Sequence, residues 1–266
     1  MNIVQVISVI NQKGGVGKTT TASSLGAVLL KKGYKVLMMD LDPQRNLTHH
    51  YGLLDNQLEE TANDLFNTAP MIDGHDLVYE SELGDIIPSH KDLATAEVKV
   101  YADLKRAYRV QNVIKSLDKE YDFMVIDTPP ALGILSINAL GASDYVIVVT
   151  EAAEFPLEGI VQINDTIEVV KDIVNPKLKV AGILITKYFK NTLAHQRMAE
   201  NIAMIAEKFQ WSVFNTKIRH TIAVVESQME AKSLVQYATY SDVNYDYEHF
   251  VDELLKLFKK NNTEEK

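Results

Sequence analysis

The chain has 266 residues, no cysteine, and 27 Lys plus Arg against 36 Asp plus Glu, for a net charge of −9. That length suits one large α/β domain with a sizeable core. The lack of cysteine excludes disulfides, thiolate metal or iron–sulfur centres and a thiol nucleophile. No run of about eighteen apolar residues is present to cross a bilayer as a helix. The first residues carry no secretory signal pattern, so a cytoplasmic protein is expected. Residues 55–90 hold nine acidic residues and no Lys or Arg, whereas residues 178–220 hold seven basic residues against two acidic ones. Polyanion binding by so acidic a chain therefore needs a local basic patch.

In chain order, Ile3 to Ile10 reads as a strand, followed by a glycine-rich loop and a helix from about Thr19 to Lys32 that Gly33 ends. Val36 to Met39 is a second strand, closed by Asp40-Leu41-Asp42-Pro43, and Phe123 to Ile126 a third, closed by Asp127-Thr128-Pro129-Pro130. Tyr145 to Val149 and Val180 to Ile185 are two more. These continuous Val- and Ile-rich runs suit parallel strands buried on both faces. Between and after them lie helical patterns, such as Ala194 to Phe209, with Met198, Ile202, Ile205 and Phe209 on one stripe. In the last one, Tyr247 to Lys260, residues 250, 251, 254, 255 and 258 form the core stripe of a docked helix. Acidic residues on its other face disfavour anionic lipid, so no stable membrane association is expected. The alternation predicts an α/β fold, a doubly wound, mostly parallel sheet with helices on both faces. One domain spans residues 1–260, with a polar tail over 261–266.

The loop Lys13-Gly14-Gly15-Val16-Gly17-Lys18-Thr19-Thr20 sits between the first strand and its helix. Gln12 stands where the general phosphate-loop pattern has its first glycine, yet the physics is intact. Three glycines let backbone N–H groups close around phosphate oxygens, and the helix points its positive end at them. Lys18 is placed to neutralise the β- and γ-phosphates, and the Thr19 hydroxyl to ligate magnesium.

Lys13, a second lysine inside the loop, resembles the signature lysine of the deviant Walker A ATPases, the ParA/MinD group. Asp40-Leu41-Asp42-Pro43-Gln44, Met124 to Pro130, Ile87-Pro88-Ser89, Ser136 to Leu140 and Leu157-Glu158-Gly159 resemble stretches of its ParA/Soj branch. The resemblance implies an ATP- and Mg2+-dependent ATPase in which two protomers sandwich ATP. Lys13 would then reach the partner's phosphates and substitute for an arginine finger. It also implies that Asp42 lies nearest the hydrolytic water, that Asp127 is the Walker B magnesium partner, and that Asp40 supports the metal shell. Carboxylates at strand ends beside such a loop suit those tasks chemically.

In function, the resemblance implies DNA partition. The ATP-bound homodimer would coat non-specific double-stranded DNA, becoming nucleoid-associated, and a ParB-like centromere-binding protein would stimulate hydrolysis. With the first strand starting by residue 3, an N-terminal operator-reading domain is not expected. Many ParA and Soj proteins place DNA-contacting arginines in a segment matching Ile218 to Ser227, but this chain has His220 and Ala223 at those places. Lys187, Lys190, Arg197, Lys217 and Arg219 are therefore the candidates for a rebuilt patch, against the alternative of a solvated basic face. Two other readings share the loop. One is a MinD-like ATPase positioning a protein cargo or membrane-linked complex; the other is a small-molecule ligase of the dethiobiotin synthetase kind.

Overall fold

The computed structural model describes residues 4–67, 72–103, 105–117, 120–152, 156–230 and 232–264. Ile3, the expected start of the first strand, lies outside them. Six strands form one parallel sheet: β1 (Gln5–Ile10), β2 (Val36–Asp40), β3 (Asp85–Ile87), β4 (Phe123–Asp127), β5 (Tyr145–Glu151) and β6 (Lys179–Thr186), in the order β3-β2-β4-β1-β5-β6. The helices are α1 (Lys18–Lys31), α2 (Asn46–His50), α3 (Ala96–Lys99), α4 (Arg109–Ser116), α5 (Ile134–Ala142), α6 (Pro156–Ile173), α7 (Leu193–Lys208), α8 (Ala223–Met229), α9 (Leu234–Tyr237) and α10 (Asp242–Glu264). The doubly wound parallel architecture expected from the alternation is present.

Both faces of the sheet are covered, which is why its strands are apolar throughout. Ile7, Val9, Val36, Met38, Val125 and Ile147 face a core completed by α1 and α10. The alternate residues face two further clusters: Val6, Met39 and Ile126 meet residues of α4 and α5, while Ile10, Val148 and Ile185 meet α6 and α7. The connection from β1 runs through α1 to β2 on one side of the sheet, whereas β5 and β6 extend it on the other. The chain thus reverses direction at β1, and a crevice opens beyond the carboxyl ends of the central strands. Helix α1 stops where expected: Gly33 takes φ +87, a left-handed conformation, and its N–H donates to Leu30 O at 2.9 Å.

The last helix is docked. Val243, Tyr247, Phe250, Val251, Leu254 and Phe258 are all buried against α1 and the sheet, with Phe250 edge-on to Phe214 at 4.9 Å. Helix α10 continues through residues 261–264 of the expected polar tail. No described helix is long and apolar enough to cross a membrane.

Phe250→Ala removes a fully buried ring from this junction and should cost roughly 3–5 kcal/mol, read as a lowered urea midpoint. A loss below about 1 kcal/mol would mean that α10 does not contribute to the core.

Candidate functional site

Strand β1 delivers the chain to the glycine loop at the crevice. Two hydrogen bonds fix the entry: Asn11 Nδ2 donates to Val149 O at 2.5 Å, and Lys13 N donates to Asn11 Oδ1 at 2.6 Å. The loop then turns through Gly15 (φ +77) and Gly17 (φ +91), left-handed positions where a side chain would be strained. Val16 is buried, and its carbonyl accepts from Thr186 Oγ1 at 2.7 Å, which ties the loop to the end of β6. A Cβ on Gly14 or Gly15 would meet open space, so these glycines leave room on the outer side of the loop.

The two loop lysines differ in placement. Lys18 opens α1 and is buried, its Nζ donating to Lys13 O at 3.3 Å so that the ammonium lies inside the loop. The Lys13 side chain is 62% exposed and lies 3.8 Å from Glu151, which also pairs with Lys187 at 2.7 Å. Thr19 stands close enough to Asp127 for its hydroxyl to ease that carboxylate's charge. The Thr20 hydroxyl is instead occupied, within 3.1 Å of Gln228 Nε2 on α8.

Asp40 and Asp127 end the adjacent strands β2 and β4 in direct register. Asp40 is fully buried and accepts from Asp42 N at 3.0 Å, Thr48 N at 2.9 Å and Thr48 Oγ1 at 2.7 Å. Burial still pushes its carboxyl up to about 6. Asp127 is also fully buried, and neither of its oxygens has a hydrogen-bond partner of normal geometry. Burial, followed by repulsion from Asp40, holds it well above the usual carboxylate range, against the easing charge of Lys18. Asp42 is raised by burial too, less the effects of a hydrogen bond from Gln44 N at 2.9 Å and the nearby Lys18 charge. Conversely, burial pushes the Lys18 ammonium down, while Asp127 and Asp42 draw it back up.

This arrangement tests whether the residues fit a magnesium ion. An orphaned, buried carboxylate beside a hydroxyl and a lysine is short of positive charge, which a hard divalent cation supplies through oxygen ligands. The donor set of Asp127 and Thr19 therefore fits. Asp40 is already saturated by Thr48 and Asp42, which places it behind the site rather than in it.

Several residues have positioning tasks that no motif assigned. Ser89 donates its hydroxyl to Asp42 O at 2.7 Å and its N–H to Thr48 Oγ1 at 2.8 Å, clamping the segment that carries Asp42. Thr128 Oγ1 donates to Val9 O at 2.8 Å and joins β4 to β1 beside the loop. Ser89 belongs to the Ile87-Pro88-Ser89 stretch, which sequence likeness flagged without giving it a task. Thr48 and Thr186 carried no signal, because a single hydroxyl in a helix or strand is unremarkable in sequence.

The basic candidates lie elsewhere. A bridge between Tyr188 and Arg219 brings the turn holding Lys187 and Lys190 beside Lys217 and Arg219. Arg219 is committed: its Nε and one terminal nitrogen lie 2.7 and 2.8 Å from Asp246, and the other terminal nitrogen lies 2.5 Å from Asp242. Lys187 is held by Glu151, and the Lys217 ammonium lies 5.3 Å from the Tyr188 ring centroid. Lys190 and Arg197, both exposed, have no carboxylate partner among the described residues.

Residues 4–180 match a family model described as AAA domain. The chain is 34% identical over 237 residues to the chromosome partitioning protein ParA of Myxococcus xanthus, covering 88% of this chain and 81% of that protein. It is also 34% identical over 234 residues to the sporulation initiation inhibitor protein Soj of Bacillus subtilis, covering 88% and 91%. Among solved structures it resembles cobyrinic acid a,c-diamide synthase from Mycobacterium smegmatis with bound ATP analog and magnesium. That match has a TM-score of 0.86 and 30% identity, covering 97% of this chain and 96% of the other.

The raised carboxylates make a prediction about the metal-free protein. With Asp127 held above its ordinary value of 3.8 in the fold, this residue's contribution to stability falls as pH rises above that value. Asp127→Asn removes that penalty. In EDTA, the variant should match the native urea midpoint near pH 4 and lie above it at pH 7. A variant less stable at pH 7 than at pH 4, relative to native, would contradict the assignment.

Proposed function

We propose that this chain, which belongs to the ParA/Soj group of the AAA-domain family, is an ATP-hydrolysing DNA partition protein. ATP and Mg2+ are its cofactors, the pair carried by the cobyrinic acid synthase structure as an ATP analog with magnesium. The glycine loop and Lys18 bind the triphosphate, with Thr19 and Asp127 as the magnesium donors and Asp40 supporting them. Asp42, held at the crevice by Ser89 and Gln44, orients the attacking water. Magnesium bound there would supply charge compensation for the phosphates.

One observation carries the dimer reading: of two lysines in one phosphate loop, Lys18 is buried within it and Lys13 is 62% exposed away from it. A lysine left outside its own loop, in a 3.8 Å contact with Glu151, can turn to phosphates on a second protomer. Donation of positive charge across that junction at the developing phosphoryl charge is the arginine-finger role. The ATP-bound homodimer would then carry two basic surfaces, and linked contacts raise affinity for non-specific double-stranded DNA. With Arg219 committed to Asp242 and Asp246, Lys190 and Arg197 are the strongest of the five DNA candidates. A ParB-like DNA-bound protein is the partner that stimulates hydrolysis, and cytoplasmic and nucleoid pools exchange with nucleotide state.

The cobyrinic acid synthase likeness raises a second reading, a small-molecule ligase. Turnover of ATP without any small acceptor separates the two, since a ligase needs its acceptor to complete the reaction.

With a slowly hydrolysed ATP analogue and Mg2+, light scattering should report a dimer for the native protein and a monomer for Lys13→Ala, with nucleotide affinity changed by less than about threefold. Only the dimer should retain random duplex DNA on a filter, and Lys190→Glu with Arg197→Glu should lower that retention about tenfold or more at low salt. A native monomer under these conditions would overturn the sandwich dimer. A dimer indifferent to DNA would overturn partition while leaving the ATPase.

A further inference from the structure

Helix α2 ends in a side chain that the nucleotide site does not explain. His50, its last residue, is 6% exposed, and the imidazole Nε2 is buried with no hydrogen-bond partner among the described residues. A buried polar nitrogen left unpaired costs stability, and folds pair such atoms with protein groups or with ordered water. His50 stands on the wall of a small hollow of about 10 Å³. The other polar walls come from two helices, Thr19, Thr20, Ser23 and Ser24 of α1 and Ser227 and Gln228 of α8. The helices already meet here: Gln228 Nε2 donates to Thr20 Oγ1 at 3.1 Å, and Ser23, Ser24 and Ser227 are buried in the junction.

Size and chemistry together select the occupant. A hollow of about 10 Å³ has room for one water molecule. No Asp, Glu, Lys or Arg lines it, and burial pushes the imidazole down to about 4, so the wall is neutral and offers an ion no counter-charge. A neutral imidazole presents Nε2 as donor or as acceptor according to its tautomer, and the surrounding hydroxyls do either. Water answers both.

From the unpaired Nε2, the one-molecule volume and the hydroxyl lining, we propose that the hollow holds a buried water joining His50 Nε2 to a hydroxyl of α1, which makes His50 a positioning residue for the nucleotide site. The placement gives this water leverage. Helix α2 also carries Thr48, which saturates Asp40, and α1 opens with Lys18 and Thr19. A water between the two helices fixes the support of Asp40 against the turn that bears Thr19, while Gln228 brings in α8. The role in metal binding rests on Thr19 being a magnesium donor, as proposed above; the water's place in the hollow does not.

A crystal structure of the native protein tests the water, and should show a density peak about 2.7–3.2 Å from His50 Nε2 and from a hydroxyl of α1. Calorimetric titration with a slowly hydrolysed ATP analogue tests the positioning. His50→Leu puts an apolar chain against the hollow and displaces the water. It should bind the analogue about threefold to tenfold more weakly with Mg2+, the worth of one hydrogen bond, and within about twofold of native in EDTA. His50→Gln, whose amide also donates and accepts, should stay within about twofold of native in both. A native structure without that water, a His50→Leu affinity unchanged with Mg2+ or lowered equally in EDTA, or equal losses in the two variants would each overturn the proposal. Native affinity that ignores Mg2+ would instead refute Thr19 as a metal donor, and the density at His50 would still decide the water.

Discussion

The structure is organised around buried negative charge at the ends of β2 and β4. Parallel register puts Asp40 and Asp127 side by side, in a place where burial removes the water that ordinarily stabilises carboxylates. Two isolated anions there would be prohibitively costly, so each is handled differently. Asp40 is saturated by three donors from its own loop and α2. Asp127 is left unsatisfied, with only the Lys18 ammonium and the Thr19 hydroxyl to ease it. The fold thus keeps one carboxylate in a state that a metal-bound triphosphate would relieve.

Much else follows from holding that unfavourable centre in place. The glycine loop must keep Lys18 inside, and it is fastened from two strands: through Asn11 to β5 and through Thr186 to β6. Helix α1, which carries Lys18, is backed by α10 through a continuous apolar junction. Helix α8 adds a polar tie from Gln228 to Thr20. These contacts oppose the repulsion and desolvation at the centre, as expected where a functional site costs stability.

What the sequence revealed and what it concealed divide along physical lines. Strands buried on both faces are written as unbroken Val and Ile runs, so five of the six strands and their parallel class were legible. Strand β3 has only three residues, Asp85–Ile87, too short for any period to register. The phosphate loop was legible because left-handed turns demand glycine, and Gly15 and Gly17 take them. That Lys13 lies outside the loop while Lys18 lies inside was not legible from spacing, which does not say which ammonium points inward. The tasks of the clamps Ser89, Thr48 and Thr186 were hidden because they depend on residues distant in sequence. The basic patch was legible as charge but not as available charge: Asp242 and Asp246, more than twenty residues on, occupy Arg219.

The central claim is that the Asp127 centre awaits a metal-bound triphosphate, and thermal unfolding with a slowly hydrolysed ATP analogue tests it most directly. At about one hundred times its dissociation constant, a ligand that binds only the folded state stabilises by roughly 2.7 kcal/mol. For a domain of this size that corresponds to about 5–10 °C in Tm. The account predicts such a rise with analogue plus Mg2+, and its loss in EDTA or in Asp127→Asn. An equal rise with and without Mg2+, unchanged by Asp127→Asn, would contradict it.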